Sequence, residues 1–220
     1  MQLEKMDAFF AARLQGYEEH MLENIDGAEE FYPFTARLLP QIPGAAVLDL
    51  GCGTGLELRW YYPLNPTAKV TGIDLSQDML DALRRQYAQY QPNLLCGSYF
   101  EIPLGENCFD GAVSVESLHH FAGEEKLPLY QKLYKSLKPG SSFILTDYFA
   151  ESDATEQLYR QTLLTLKKEQ NLRSDVFYHY DTPLTVDHER NLLLEAGFDR
   201  VEILRNWGAT YTLEARKGTP

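Results

Sequence analysis

A doubly wound α/β domain with a seven-stranded open sheet is the fold this sequence predicts, and three observations carry the prediction. From Ala45 onward, short apolar runs alternate with amphipathic stretches, the rhythm of repeated βα units around a parallel sheet. One of those runs, Val47-Leu48-Asp49-Leu50, leads directly into Gly51-Cys52-Gly53-Thr54-Gly55 and then into a helical pattern. An acid, Asp74, closes the next apolar run nineteen residues beyond Gly55. The chain has 220 residues, enough for one domain with a sizeable core and too few for two ordinary domains and a linker. Within that single domain the expected parts are an N-terminal helical cover (1–44), a core (45–149), a lid insertion (150–185) and a C-terminal helix with strands (186–220).

Taken in order, residues 1 to 40 read as two helices. Phe9, Phe10, Leu14 and Tyr17 recur at helical spacing, and a second apolar series runs from Phe31 through Leu38 and Leu39. Pro40 and Pro43-Gly44 then break the chain. The strands are expected at Ala46–Leu50, Lys69–Ile73, Asn93–Cys96, Phe109–Val115, Ser142–Thr146, Val201–Leu204 and Thr210–Glu214. Helices are expected near Gly55–Tyr62, Ser76–Tyr87, Glu124–Leu137 and Val186–Ala196. Ser76 is placed to cap the second of these ahead of the acidic Asp78, and Gly197 to close the last. Residues 150 to 185 depart from the rhythm: a polar helical stretch, Asp153–Lys168, precedes the run Val176-Phe177-Tyr178-His179-Tyr180 and Pro183. This segment is expected to lie over the mouth of the site.

Composition narrows the function. With 44% hydrophobic and 24% charged residues the chain has the profile of a folded globular protein, not of a disordered one. The formal net charge of -12 repels phosphates, which disfavours nucleic acid as a partner. Glu4, Lys5, Asp7, Arg13 and Glu18 interrupt the first twenty residues, so a signal peptide is not expected, and no apolar stretch suits a bilayer. A cytoplasmic protein that does not engage membranes is the expectation. Cys52, Cys96 and Cys108 lack metal or redox spacing and fit small buried thiols in a reducing compartment.

The glycine-rich turn is the most informative segment. Alternating glycines let backbone amides approach a ligand without a Cβ in the way and adopt positive φ. A carboxylate at the end of the following strand, Asp74, stands where both hydroxyls of a ribose can be bound. Together they predict a nucleoside site. A dinucleotide fingerprint would need a third glycine at position 56, where the chain has Leu56. Asp49, two residues before the first glycine, would repel a pyrophosphate and attract an ammonium or sulfonium.

These segments resemble a known family. Val47–Gly55 is similar to the first motif of class I S-adenosylmethionine-dependent methyltransferases, and Gly72-Ile73-Asp74-Leu75-Ser76 to the family's strand-two motif. Gly97 through Leu104 with Phe109-Asp110-Gly111-Ala112-Val113 resembles its adenine-contacting loop and fourth strand, and Leu137–Phe143 its turn into strand five. The resemblance covers about residues 45–148. It implies a Rossmann-like sheet whose last strand runs antiparallel, and S-adenosylmethionine as cofactor, with S-adenosylhomocysteine as product. Carried over by residue, it implies that Asp49 faces the methionine ammonium, that Gly51, Gly53 and Gly55 line the cofactor, that Asp74 holds the ribose and that Leu75 packs on adenine. Ser98 stands where the family usually has an acid, so adenine recognition is expected to use the Ser98 oxygen and the Tyr99 amide. Glu116 completes the cofactor set.

Methyl transfer from a sulfonium asks the protein mainly to align donor and acceptor and to exclude water. If the acceptor carries a proton, a base near the carboxyl ends of the strands assists. His119 and His120 follow strand four there, and Asp147 with Tyr148 follows strand five, so His119, His120 and Asp147 are the catalytic candidates. A histidine that packs and caps the next helix, or an aspartate that caps its own loop, fits the same positions. Tyr17, Tyr148 and Tyr178 are the acceptor-binding candidates, with Tyr32 and Tyr180 in the same segments, and core packing is their alternative. No histidine pair has ligand-like helical spacing, so no metal is expected. The acceptor is expected to be a small molecule. Two other readings remain in the sequence: a non-catalytic S-adenosylmethionine- or partner-binding protein, and a nucleotide-dependent oxidoreductase suggested by Tyr134-x-x-x-Lys138. The second fails on Pro139-Gly140 directly after Lys138 and on the missing glycine fingerprint.

Overall fold

In a computed structural model, which describes residues 1–219, seven strands form one sheet in the order β3-β2-β1-β4-β5-β7-β6. They are β1 (Ala46–Leu50), β2 (Lys69–Asp74), β3 (Asn93–Cys96), β4 (Phe109–Val115), β5 (Leu137–Tyr148), β6 (Arg200–Trp207) and β7 (Thr210–Arg216). β7 runs antiparallel to both of its neighbours, and the remaining pairs are parallel. The sheet class and its reversed last strand are therefore as the sequence predicts.

Strand alternation explains the double winding. Leu48 and Leu50 of β1 face one core with Phe143, Leu145 and Leu213, beneath helices α6 (Gly123–Ser136) and α8 (Val186–Glu195). Val47, with Val70, Val113 and Ile144, faces the other core, under α3 (Ala28–Leu38), α4 (Leu58–Leu64) and α5 (Gln77–Gln86). Both faces of the central strands are apolar, so helices must cover both.

Among the boundaries that differ from the sequence expectation, which include a longer β6, three have a clear backbone reason. Residues 1 to 40 form three helices, not two: α1 (Met6–Arg13), α2 (Tyr17–Asn24) and α3. Gly16 at φ 81° and Gly27 at φ 80° take left-handed conformations that no α-helix continues through. α4 starts at Leu58 because Gly55, at φ 75°, still belongs to the loop. β5 begins five residues early, at Leu137, where Phe109 pairs with Leu137 ahead of an irregularity in the register. The stretch expected as a polar helix is α7 (Asp153–Glu169), and none of its residues is fully buried.

One smaller expectation is corrected. Only Cys52 is buried; Cys96, on the edge strand β3, and Cys108, in the loop before β4, are exposed. Lys138 lies on β5, paired with Asp110 at 2.7 Å, while Tyr134 packs its ring edge against Phe198, so the two do not form a catalytic couple. Among the described residues no helix is long and apolar enough to cross a membrane.

Candidate active site

The chain leaves β1 toward β2 on one side and returns as β4 on the other, opening a crevice at the carboxyl ends of β1 and β4. Gly51 (φ 74°) and Gly53 (φ 49°) line it. A Cβ at Gly51 would lie 2.0 Å from Ser117 Oγ, whereas one at Gly53 would meet nothing nearer than the Tyr17 hydroxyl at 4.0 Å. Gly51 is thus required by its own neighbours, and Gly53 keeps space free. Gly55 serves packing: its Cβ position is 3.0 Å from Leu83 of α5.

Asp74 closes the loop onto β2. One carboxylate oxygen accepts from the Gly53 amide at 2.9 Å and the other from the Ser76 amide at 2.8 Å. A carboxylate has about four acceptor sites, so each oxygen retains capacity toward the crevice that Asp74, Leu75, Met79 and Tyr99 also line. Burial pushes the Asp74 carboxyl above its ordinary range.

Asp49 shares a strand face with Val47 and is 1% exposed. Beside it lies Glu57, 4% exposed, which the sequence reading passed over. Asp49 Oδ2 and Glu57 Oε1 find no hydrogen-bond donor. Burial, reinforced by the Glu57 carboxylate, pushes the Asp49 carboxyl well above its ordinary range, and burial also raises Glu57. Two desolvated acids, each with an unpaired oxygen, form a site that a cation would relieve. A bound ammonium would lower both pKa values, so cationic-ligand binding is expected to release protons, and affinity to rise with pH while the pair still carries one. Calorimetry of S-adenosylhomocysteine binding in buffers of different ionisation enthalpy measures that release; a buffer-independent enthalpy would refute the shared proton.

Ser98 is placed differently from the expectation. Its hydroxyl accepts the Phe100 amide at 3.2 Å within its own turn, and Tyr99 reaches the crevice instead, its hydroxyl 3.3 Å from Ser117 Oγ. Lys132 of α6 fixes this loop by donating to the carbonyls of Tyr99, Phe100 and Ile102 at 2.6, 2.9 and 2.9 Å.

A second, larger cavity of about 600 Å³ adjoins the crevice. Phe9, Phe10, Met21 and Ile25 supply apolar walls from the N-terminal helices, and Glu116, His119, His120, His179 and Asp181 a polar end. Phe10, Tyr17, Glu116 and His120 line both spaces.

That polar end is assembled from three segments. His119 and His120 sit in a short 3-10 turn after β4, and His119 Nδ1 lies 2.5 Å from Asp147 Oδ1 at the end of β5. The other Asp147 oxygen accepts the Leu118 and His119 amides at 2.8 and 3.1 Å. Burial alone would lower the His119 pKa, but the adjacent Asp147 carboxylate, with Asp181 and Glu116, lifts it to about 9. Burial and then the His119 charge press His120 down to about 4. Burial, with Asp147 next, raises Glu116 to about 8, and Glu116 holds a left-handed φ of 49° that only a constrained non-glycine keeps.

Of the acceptor-binding candidates, Tyr17 lines both spaces. Tyr148 sits behind His119, edge-on at 6.0 Å, with its hydroxyl 3.2 Å from that of Tyr159. Tyr178 turns the other way, under the Lys167 ammonium, and its neighbour His179 takes the cavity wall, stacked on Phe9 at 3.4 Å. Tyr32 stacks on Trp60 in the core and Tyr180 meets Tyr159. Glu57, His179 and Asp181 are the site residues that sequence reasoning missed. Glu57, an acid directly following the glycine loop, was the one with a local signal.

Residues 47–140 match the family described as a methyltransferase domain. The 24-methylenesterol C-methyltransferase 3 of Arabidopsis thaliana is 34% identical over 106 residues, covering 46% of this chain and 29% of the relative. An O-methyltransferase of Penicillium expansum is 27% identical over 168 residues, covering 73% of this chain and 54% of the relative. The chain thus spans between about a third and half the length of these curated relatives. Human N-acetylserotonin methyltransferase, solved in complex with S-adenosylmethionine, shares the fold at a TM-score of 0.67 and 21% identity over 97% of this chain and 57% of the human one. The matched segment spans the glycine loop, the acid of β2 and the turn into β5, so residues 47–140 carry a methyltransferase domain of the S-adenosylmethionine-dependent kind.

Proposed function

We propose that this protein transfers a methyl group from S-adenosylmethionine to a small organic acceptor held in the 600 Å³ cavity. One observation carries the reading: the cavity and the glycine-lined crevice share Phe10, Tyr17, Glu116 and His120 as common walls, so occupants of the two spaces would be in contact. A space of about 300–1,000 Å³ is typical of small-molecule sites. The net charge of -12 argues against a polyanionic acceptor. The names of the two curated relatives, a sterol C-methyltransferase and an O-methyltransferase, point to small organic acceptors as well.

The residues present fit the cofactor. Asp49 and Glu57 offer an ammonium two buried carboxyls, each with one oxygen that finds no partner, Gly53 leaves open space above the loop, Asp74 keeps acceptor capacity for ribose hydroxyls, and Leu75 and Met79 offer an apolar surface for a base. Bound there, S-adenosylmethionine supplies an electrophilic methyl group. The crevice itself measures about 40 Å³ beneath Met6, Phe10 and Tyr17, well below the roughly 300 Å³ of a small-molecule site, so these three side chains would move aside on binding. On the acceptor side, Asp147 orients His119, and the two stand with Glu116 and His120 where an acceptor proton would leave. Tyr148 supports His119 from behind, while Tyr178 anchors the 176–182 segment. A cytoplasmic location belongs to the same reading and is supported by the three free cysteines.

Calorimetry with S-adenosylmethionine, S-adenosylhomocysteine and NAD tests the proposal. Binding of the first two and silence with NAD are expected. Asp74→Ala should lose about 100-fold in affinity, the scale of two charge-assisted hydrogen bonds. NAD binding alone would return the oxidoreductase reading. Binding of both adenosyl ligands without a methyl mass shift across a broad acceptor screen would favour a non-catalytic role.

A further inference from the structure

Three groups, His119, His120 and Asp181, converge at the polar end of the cavity. His120 is buried, its side chain 5% exposed, and its Nδ1 has no hydrogen-bond partner. Asp181 Oδ1 lies 3.0 Å away but out of line for a hydrogen bond, and it too is without a partner. His119 turns Nε2 toward the same oxygen, 3.6 Å off, while Asp147 occupies Nδ1. Ligand atoms at about 2.1 Å from a common cation stand roughly 3.0 Å apart at octahedral angles and roughly 3.4 Å at tetrahedral ones. The two separations from Asp181 match that spacing.

The surroundings are those of a built site. Asp147 pairs with His119 Nδ1 and so leaves Nε2 as the nitrogen that faces inward, where a cation would take the place of its proton, the carboxylate–histidine arrangement that commonly backs metal-bound imidazoles. The segment that carries Asp181 is pinned beside the histidine turn by a hydrogen bond from the Thr182 amide to the His119 carbonyl at 2.7 Å. Two more backbone bonds, Met6 amide to Phe177 carbonyl at 3.1 Å and His179 amide to Glu4 carbonyl at 2.9 Å, tie the same segment to the N-terminus. The ligand atoms are therefore preorganised by backbone, and the open side of the cluster is the cavity.

We infer that His119, His120 and Asp181 form a binding site for a divalent first-row transition-metal cation, with its free coordination positions facing the acceptor cavity. Two imidazoles and one carboxylate suit zinc, iron, cobalt or manganese better than calcium or magnesium. Resting on the methyltransferase reading, the cation's function is to take an acceptor oxygen as ligand and increase its acidity, which restricts acceptors to molecules with an oxygen able to enter the first coordination shell. Sequence spacing could not reveal this set, because Asp181 lies sixty-one residues beyond His120 and joins the histidines only in the folded chain.

Cobalt(II) alone is the probe. Chelator-treated full-length protein is expected to bind one equivalent, with visible d–d absorption reporting nitrogen and oxygen ligands. His120→Ala and Asp181→Asn should each weaken binding by more than about 100-fold, and Asp147→Asn, acting through His119, by about 10- to 100-fold. Asp181→Asn should still bind S-adenosylhomocysteine like wild type, which shows that the variant is folded, since Asp181 does not line the cofactor crevice. Less than one equivalent of cobalt in the wild-type protein, or unchanged cobalt affinity in His120→Ala and Asp181→Asn, would overturn the site. S-Adenosylhomocysteine titration of the wild type reports separately on the cofactor reading: cobalt binding without it leaves the metal site standing and removes its proposed role in methyl transfer.

Discussion

Gly53→Ala is expected to fold and to lose its cofactor. The added methyl meets no protein atom nearer than the Tyr17 hydroxyl at 4.0 Å, so the cost to stability is that of an L-residue at φ 49°, about 1–2 kcal/mol. The same methyl occupies the crevice above the loop, where a ligand backbone must come close to the chain. A loss of at least about 100-fold in S-adenosylhomocysteine affinity, roughly 3 kcal/mol, is expected by calorimetry. Gly51→Ala should behave otherwise, because its Cβ would lie 2.0 Å from Ser117 Oγ and 2.6 Å from Ser117 Cβ. That variant should lose both stability and binding, and adding Ser117→Gly should recover part of the stability by removing both atoms. Wild-type affinity in Gly53→Ala would show that no ligand approaches the loop there.

Lys126→Met is expected to be the most destabilising single substitution considered. Lys126 Nζ lies 2.6 Å from Glu189 Oε2, and each residue is 1% exposed. Tyr130 donates its hydroxyl to the other Glu189 oxygen. Removing the ammonium leaves a buried carboxylate with one neutral donor, a loss of about 3–5 kcal/mol. For a chain of this size that lowers Tm by roughly 6–20 °C. Combining Lys126→Met with Glu189→Gln should restore most of the loss, since the amide still accepts from Tyr130 and no charge remains. Thermal unfolding of the two variants measures the difference; an equal loss in both would locate the cost in packing. The effect should reach the site as well. The pair joins α6 to α8, α6 carries the Lys132 that holds the Tyr99 loop, and the Lys126 charge also helps keep Asp147 ionised.

Much of this architecture is legible in local sequence because its causes are local. Apolar alternation in β1 assigns Leu48 and Leu50 to one core and Val47 to the other, and the glycine loop announces itself by residues that need positive φ. The breaks at Gly16 and Gly27 were local as well, yet helical spacing across Phe9, Leu14 and Tyr17 masked the first of them. Long β5 was harder to foresee. Its early start depends on pairing with Phe109, a residue of another strand.

By itself the sequence determined the parallel sheet, the glycine loop with its acid two residues ahead, and Asp74 at the end of the second strand. All of these follow from chain-neighbour periodicity and backbone freedom. Tertiary structure alone decided which of the chemically able residues meet. It set Glu57 against Asp49, kept Ser98 in its own turn, sent Tyr178 away from the cavity, and brought Asp181 to within 3.0 Å of His120. Such meetings depend on how separate loops close over the sheet edge, and a side chain's partners across that distance leave no periodic trace in the chain.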